Sequence, residues 1–290
     1  MTDKPLKVPD EIMQSRTKLL DHFSGEGPPT NDRWAALWEA GDLLPWDRGQ
    51  PNPALEDALA QRRDVLGTSV FVESAQTGHA RRKRALVPGC GRGYDVLLLS
   101  SYGYDAYGLD VSSKAVGLCA EYAEKHKDDY PVKNEGAGAG KAVFLVGNFF
   151  ADNWRSQVDG DQTFELFYDY TFFCALHPSM RAAWSLRYAQ LASPRAETRL
   201  ICLEFPTFKE PSSGGPPFSA PPSVYLAHLS HPGKEQEYDH EGKLLNERDE
   251  NTVGPRFQKI AHWQPDRTHD VGRGTDWVSV WAFIGNTDAI

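Results

Sequence analysis

The sequence predicts an α/β fold built on a largely parallel sheet, and three observations carry that prediction. The stretch from Arg84 to Val111, RALVPGCGRGYDVLLLSSYGYDAYGLDV, reads as strand, glycine turn, helix, strand and terminal acid. Apolar runs that read as strands alternate with helical patterns as far as Phe205, a rhythm that implies parallel βαβ units with right-handed crossovers. A chain of 290 residues with 40% hydrophobic content is long enough to bury a substantial core.

From the N-terminus, Met1 to Thr30 is polar and ends in the breaker cluster Ser24-Gly25-Glu26-Gly27-Pro28-Pro29. Asp10 to His22 is predicted helical, with Ile12, Leu19 and Leu20 on its apolar side. Asn31 or Asp32 caps a second helix that carries Trp34 and Trp38 four residues apart on one face, and Gly41 ends it. Trp46 follows in the turn Pro45-Trp46-Asp47-Arg48-Gly49, and Asn52-Pro53 starts a helix from Ala54 to about Leu66. Three tryptophans outside any strand either plug an N-terminal helix onto the core or form an aromatic lid over a cation, and the two readings are compatible.

In the central unit, Ala85 to Val87 is a buried strand, and Pro88-Gly89-Cys90-Gly91-Arg92-Gly93 is a turn whose glycines let the backbone approach a ligand. A helix follows from Tyr94 to about Ser101, then a strand from Asp105 to Leu109 ending in Asp110. That acid stands 21 residues beyond Gly89, where nucleotide-binding units place the group that grips ribose hydroxyls. The dinucleotide pattern G-x-G-x-x-G would put its third glycine at Tyr94, whereas here it comes early, at Gly93. A phosphate-binding loop is excluded, because no Gly-Lys-Ser/Thr follows. The G-x-G-x-G form suits an adenosine cofactor without a pyrophosphate, such as S-adenosylmethionine; the bland reading is a packing turn.

Beyond it, Ser112 to Lys125 is a helix capped by Ser112 or Ser113, and the Gly/Ala loop Asn134 to Gly140 leads into a strand, Ala142 to Gly147. Strands are predicted at Phe164 to Asp169 and Arg199 to Phe205, with a helix starting at Pro178 between them. Pro206 to Pro222 is a loop, Ser223 to Leu229 a short helix, and Arg256 to Trp263 and Trp277 to Ile284 the last two strands. Ser230 to Pro255 is a polar stretch without periodicity, expected to be a surface excursion or partly mobile.

Composition narrows the class. Lysines and arginines number 31 against 40 acids, a net charge of −9, which argues against nucleic-acid or anionic-membrane partners. No signal peptide and no 18-residue apolar run is evident. Cys90, Cys119, Cys174 and Cys202 form no close-spaced pair and read as reduced thiols of a cytoplasmic protein. His228 and His231 have a metal-like spacing without a third ligand nearby, so a solvated helix end is expected and no metal. Arg81-Arg82-Lys83-Arg84 is expected to be a solvated approach to the first buried strand rather than a nucleic-acid patch.

Five pieces, in order, carry a family resemblance: Trp34-xxx-Trp38 with Pro45-Trp46-Asp47, the turn ALVPGCGRGYDV, Gly108-Leu109-Asp110, YDYTFFCALHPSMRAAW from Tyr168 to Trp184, and GGPPF from Gly214 to Phe218. Together they resemble the S-adenosylmethionine-dependent methyltransferases of the thiopurine methyltransferase family, above all its plant-type halide and thiol (thiocyanate) branch. The resemblance implies a single Rossmann-like class I methyltransferase domain over 1–290, with a helical lid in 1–66 and the core in 84–290. Its sheet would have seven mostly parallel strands, the last antiparallel, with helices on both faces. Trp34, Trp38 and Trp46 would surround the methionine end of S-adenosylmethionine, Gly89 and Gly91 would approach it, and Asp110 would take the ribose. Asn148 and Phe149 would flank the adenine, and Tyr170 would lie near the sulfonium. S-adenosylhomocysteine would be the product. The Ser230 to Pro255 excursion and the Gly272-Arg273-Gly274 turn have no clear counterpart in the plant branch, and the spacing from Trp38 to Trp46 is one residue longer.

Methylation of sulfur or halide displaces a methyl from a sulfonium and needs alignment and desolvation rather than a strong base. No Ser-His-Asp or paired-carboxylate arrangement is evident. The leading expectation is a monomeric methyltransferase for a small-molecule thiol, with halide or thiocyanate as further acceptors and Tyr170 and Asp169 as catalytic candidates. An oxygen or nitrogen acceptor would favour a base, for which Asp169 or Glu204 stand ready. A non-catalytic subunit that binds cofactor and a protein partner through the excursion is the alternative from another class.

Overall fold

A computed structural model of the chain describes residues 10–24, 31–42, 44–74, 79–195, 197–245 and 254–285. Four helices come first: α1 (Asp10–Phe23), α2 (Asn31–Ala40), α3 (Pro53–Gln61) and α4 (Arg63–Leu66). Asn52 caps α3 by accepting from the Ala54 N–H at 2.9 Å, with Pro53 at the first helical position where a missing donor does no harm. The expected single helix from Ala54 to Leu66 is broken at Arg62, whose φ of −112° and ψ of 43° are not helical. A two-stranded antiparallel hairpin follows, β1 (Val70–Ser74) and β2 (His79–Arg82), which the sequence reading left unassigned. Residues 25–29 of the breaker cluster lie outside the described residues.

The core alternates as predicted: β3 (Arg84–Pro88), α5 (Tyr94–Ser101), β4 (Asp105–Asp110), α6 (Ser113–Lys125), β5 (Ala142–Val146), β6 (Leu166–Tyr170), α7 (Arg181–Leu191), β7 (Arg199–Glu204), α8 (Pro222–Ser230), β8 (Arg256–Trp263) and β9 (Trp277–Ile284). Seven strands form one sheet in the order β5-β4-β3-β6-β7-β9-β8, and β9 runs antiparallel to both neighbours. Phe164, the predicted start of β6, instead makes an isolated bridge to Ala192.

Alternation along the buried strands divides the core into two layers. Ala85, Val87, Leu166 and Tyr168 pack with Leu55 and Leu59 of α3 and Val96 and Leu99 of α5 on one face. Leu86 and Phe167 pack with Trp184 and Tyr188 of α7 and Tyr225 of α8 on the other. On β6 this puts Tyr168 and Tyr170 on one face and Asp169 on the opposite one, a split that decides their roles below.

The basic run at Arg81–Arg84 is not the solvated approach expected. Lys83 and Arg84 are buried, and the buried carboxylate of Glu165 sits 2.6 Å from Arg81 Nη2 and accepts the Arg84 backbone N–H at 3.0 Å. Arg84 also pairs with Asp161, and Lys83 with Glu197 at 2.6 Å. These acids come from sequence-distant segments brought alongside β3 by the β3–β6 pairing, so nothing near the basic run announces them. The four cysteines are free. His228 is buried, its Nε2 paired with the Tyr238 hydroxyl at 2.8 Å. Tyr238 belongs to the polar excursion, which folds back on itself through a Tyr238–Leu244 bridge; residues 246–253 lie outside the described part.

Candidate functional site

Strand order reverses between β3 and β6, because β4 and β5 lie on one side of β3 while β7, β9 and β8 lie beyond β6. Such a reversal parts the connecting loops and leaves a crevice beyond the carboxyl ends of the two strands. A cavity of about 410 Å³ fills it, lined by Trp34, Trp38, Trp46, Gly89, Gly91, Asp110, Asn148 and Phe149. Every predicted cofactor-binding residue except Tyr170 is therefore on one wall or another. Tyr170 lines a smaller chamber of about 60 Å³ next door, which shares Trp38, Trp46, Arg48, Gly89, Gly91 and Thr171 and adds Asp95, Tyr168 and His269.

Asp110 ends β4 with its carboxylate doubly held. Oδ2 accepts the Gly91 N–H and Oδ1 the Ser112 N–H, each at 3.0 Å. The acid thus ties the glycine turn to the start of α6. Burial nevertheless outweighs these donors and pushes its pKa up to about 6. The turn itself needs glycine where it meets the wall. Gly89 has φ +61°, and a Cβ there would lie 2.6 Å from Cδ2 of Phe172.

The tryptophans converge. Trp46 stands edge-on to Trp34, with ring centroids 5.4 Å apart, and to Trp38 at 6.0 Å. Trp34 leans on Phe23 of α1 at 4.5 Å, in a cluster with Leu19 and Leu37. Trp38 is buried and lies directly over Gly91, where a Cβ would stand 3.2 Å from its ring. The packing reading holds here, since the rings fasten the N-terminal helices to one another, and the same rings line the cavity. Outside the rings, Asp47 takes the Tyr94 hydroxyl at 2.8 Å and pairs with Arg92 at 2.6 Å, fastening this segment to the glycine turn.

Across the cavity Asn148 Oδ1 accepts the Phe150 N–H at 3.0 Å, while the buried Arg187 donates to the Phe149 carbonyl at 2.7 Å. At the end of β6 the β-branched Thr171 sits at φ +61°, a conformation such residues rarely adopt and one that tends to occur at ligand sites. It is this bend that turns Phe172 into the larger cavity.

Asp169, a sequence-predicted catalytic candidate, lines neither cavity. It is 1% exposed, on the β6 face opposite Tyr170, and its oxygens take three donors: Phe173 N–H at 3.0 Å, Trp184 Nε1 at 2.8 Å and the Tyr188 hydroxyl at 2.9 Å. Glu204 likewise lines neither cavity, its Oε2 paired with His262 at 3.0 Å. Sequence reasoning missed Arg48, which borders both cavities, and Cys174 in the larger one. It also missed Asp95 and His269 in the smaller. Asp95 is raised to about 6 and His269 lowered to about 4, each chiefly by burial. The signal available was thin: an arginine in a turn, and an acid one residue beyond the glycine-turn tyrosine.

The family model described as thiopurine S-methyltransferase matches residues 29–266. The chain belongs to the thiopurine S-methyltransferase family. A protein of Arabidopsis thaliana named "Probable thiol methyltransferase 2" is 33% identical over 258 residues, covering 88% of this chain and 94% of that one. A Brassica oleracea protein named "Thiocyanate methyltransferase 1" is 33% identical over 193 residues, 66% of this chain and 69% of its own. Among solved structures, one titled "Conversion of a Disulfide Bond into a Thioacetal Group during Echinomycin Biosynthesis" shares the fold, with a TM-score of 0.54 at 15% identity over 89% of this chain and 94% of that one. As a member of its family, the protein is a methyltransferase that uses S-adenosylmethionine.

The Gly89 contact yields a first prediction. Gly89→Ala is expected to weaken S-adenosylhomocysteine binding by roughly tenfold, the scale of left-handed strain plus one overpacked methyl. Calorimetry on the folded variant decides it; an unchanged dissociation constant would mean that the Phe172 ring yields freely.

Proposed function

We propose that this methyltransferase acts on the sulfur of a small-molecule thiol, with thiocyanate and halide as further acceptors of the same soft, weakly hydrated kind. One observation carries the reading. Among the described residues lining the larger cavity, the ionisable groups are Arg48, Asp110 and the thiol of Cys174; Asn31, Asn148 and Thr171 add neutral polar groups, and most of the rest is apolar, including Phe172, Leu176, Met180, Phe205, Pro217 and Val271. An oxygen acceptor, or a nitrogen that arrives protonated, favours a base at the reacting atom, and the two acids the sequence offered, Asp169 and Glu204, line neither cavity. A soft sulfur nucleophile needs mainly orientation and the removal of water, which apolar walls provide.

The cavity suits the cofactor. A buried carboxylate acceptor beside apolar rings is the arrangement expected for a ribose next to a purine, and three indoles suit a sulfonium. In this reading Asp110 accepts from ribose hydroxyls, Asn148 and Phe149 flank the adenine, and Gly89 and Gly91 keep the backbone close. Trp34, Trp38 and Trp46 shield the methionine end from water, and Tyr170 stands at the acceptor side. When bound, S-adenosylmethionine supplies an electrophilic methyl group on a positively charged sulfur. The N-terminal helices carrying the tryptophans act as a cover that excludes water from that charge.

The test is a panel of thiols, alcohols and amines of matched size, with methyl incorporation followed directly. Thiols are expected to be methylated at least about a hundredfold faster than the others, since only they present a soft nucleophile without a base in the larger cavity. Comparable rates for an amine or alcohol would replace this reading with the oxygen or nitrogen one.

A further inference from the structure

The larger cavity and the smaller chamber share six wall residues: Trp38, Trp46, Arg48, Gly89, Gly91 and Thr171. Two are indoles, two are glycines of the cofactor turn, and one carries a hydroxyl. Arg48 is the one charged group where the two spaces join. Its side chain is exposed, and among the described residues it makes no hydrogen bond and no ion pair.

That isolation follows from what the neighbouring acids do. Asp47 commits both oxygens elsewhere: Oδ1 accepts the Tyr94 hydroxyl at 2.8 Å and the Gly49 N–H at 3.1 Å, and Oδ2 pairs with Arg92 Nε at 2.6 Å. Asp95, on the wall of the smaller chamber, accepts the Asn52 N–H at 2.9 Å, and Asp110 holds the Gly91 and Ser112 N–H groups. Arg92 is therefore the cation that this turn neutralises, and Arg48 the one it leaves. His269, also on the chamber wall, is lowered to about 4, chiefly by burial, and carries no charge at neutral pH. The Asp47 contacts also fix where Arg48 stands. They fasten the turn to Arg92 and Tyr94, on either side of Gly93, and the Asp47 N–H closes it on the Leu44 carbonyl at 3.0 Å. The backbone of Arg48 is thus anchored beside the glycine turn while its guanidinium stays free.

An arginine remains protonated at neutral pH, and its planar fork matches the two oxygens of a carboxylate. Next to tryptophans that suit a sulfonium, an uncompensated guanidinium opposes the cofactor's own charge, and a carboxylate set against it removes that opposition. The smaller chamber, at about 60 Å³, has room for the end of a ligand, and its wall adds the polar side chains of Gln50, Asp95 and Tyr170.

We propose that Arg48 is the carboxylate-recognising residue of this site. Two ligands of the reaction can present that group where the cavities meet. One is the cofactor, whose methionine part ends in a carboxylate; the other is an acceptor that bears a carboxylate besides its sulfur. The second source rests on the thiol reading above, and the first does not. In either case the contact is an ion pair with two N–H···O bonds. Arg48 positions the ligand and takes no part in the transfer of the methyl group.

Ligand pairs that differ at the carboxylate test this in two arms, with Arg48→Gln and Arg48→Lys compared with the parent. In the first, calorimetry measures S-adenosylhomocysteine and its decarboxylated analogue S-adenosyl-3-thiopropylamine. If the cofactor supplies the carboxylate, Arg48→Gln should weaken S-adenosylhomocysteine by about tenfold and leave the analogue within about twofold. In the second, kcat/KM is measured for 3-mercaptopropionate and for its amide at saturating S-adenosylmethionine. The same split there, about tenfold against less than about twofold, marks the acceptor as the source. Arg48→Lys should keep part of the preference in whichever arm shows it, since the charge remains while the fork is lost. An Arg48→Gln protein that keeps the parent's melting midpoint and treats both members of each pair alike would overturn the proposal, whether or not both are weakened. If the parent methylates neither thiol, it is the thiol reading that fails. Calorimetry then decides on Arg48 alone, and equal effects on the two cofactor ligands would refute its role.

Discussion

Truncation of Asp169 to alanine is expected to destabilise the protein by about 3–5 kcal/mol, among the largest single-residue effects in the molecule. The reason is the number of donors it satisfies. The Phe173 N–H, the Trp184 indole N–H and the Tyr188 hydroxyl all point at this one carboxylate, and the three residues are fully buried. Each donor left without a partner costs about 1–3 kcal/mol, with some relief from relaxation. Asparagine repairs only part of the loss, because one end of its amide is itself a donor where the site supplies donors on both sides. The carboxylate links the end of β6, the bend after it and the buried face of α7, so the damage should spread to the wall that carries Phe172. A fall in the urea midpoint at unchanged slope is the expected result. A variant with the parent's midpoint and a collapsed kcat would restore Asp169 to the catalytic role that its sequence position first suggested.

That reassignment shows what kind of information the sequence lacked. The sheet, the glycine turn and Asp110 were legible because each is written in a contiguous pattern: apolar runs, close-spaced glycines, and an acid at the end of the second strand. The convergence of Trp34, Trp38 and Trp46 was legible in part, since two of them share a helix face. Asp169 next to Tyr170 in the stretch FYDYTFF looks like a site acid, yet successive strand residues face opposite sides of a sheet, and only the depth of α7 against that sheet reveals which side faces ligand. The buried pairing of Arg81–Arg84 with Glu165 was illegible for a related reason, because its acids arrive through strand pairing. His269 and Val271 come from the far end of the chain, where the antiparallel β9 returns beside β7, and the segment before it lines the two cavities. No local periodicity encodes such a return. The hairpin of β1 and β2 was missed because its strands are short and its polar positions dominate.

Cofactor affinity should depend on Asp110 in two linked ways. The first is size: Asp110→Ala is expected to weaken S-adenosylhomocysteine binding by about 1–3 kcal/mol, roughly 5- to 150-fold, the value of hydrogen bonds to a charged acceptor. Part of that loss is indirect, because the Gly91 and Ser112 N–H groups lose their partner and the glycine turn loosens. The second is pH. Burial holds the Asp110 carboxyl at about 6 in the free protein, so below that value the group is mostly protonated. Ribose hydroxyls donate to the ionised form and favour it, so a ligand that engages Asp110 lowers this pKa and must expel a proton when it binds in acid. Affinity is therefore expected to rise as pH increases through about 6 and to level off above it. Calorimetry in buffers of different ionisation enthalpy should find up to one proton released at pH 5 and none at pH 8. Asp110→Asn should remove both the slope and the proton release, since an amide has nothing to lose. A parent protein whose affinity is flat from pH 5 to 8, or a slope that survives in Asp110→Asn, would place the ribose elsewhere. The acid would then serve only to fasten the glycine turn to α6.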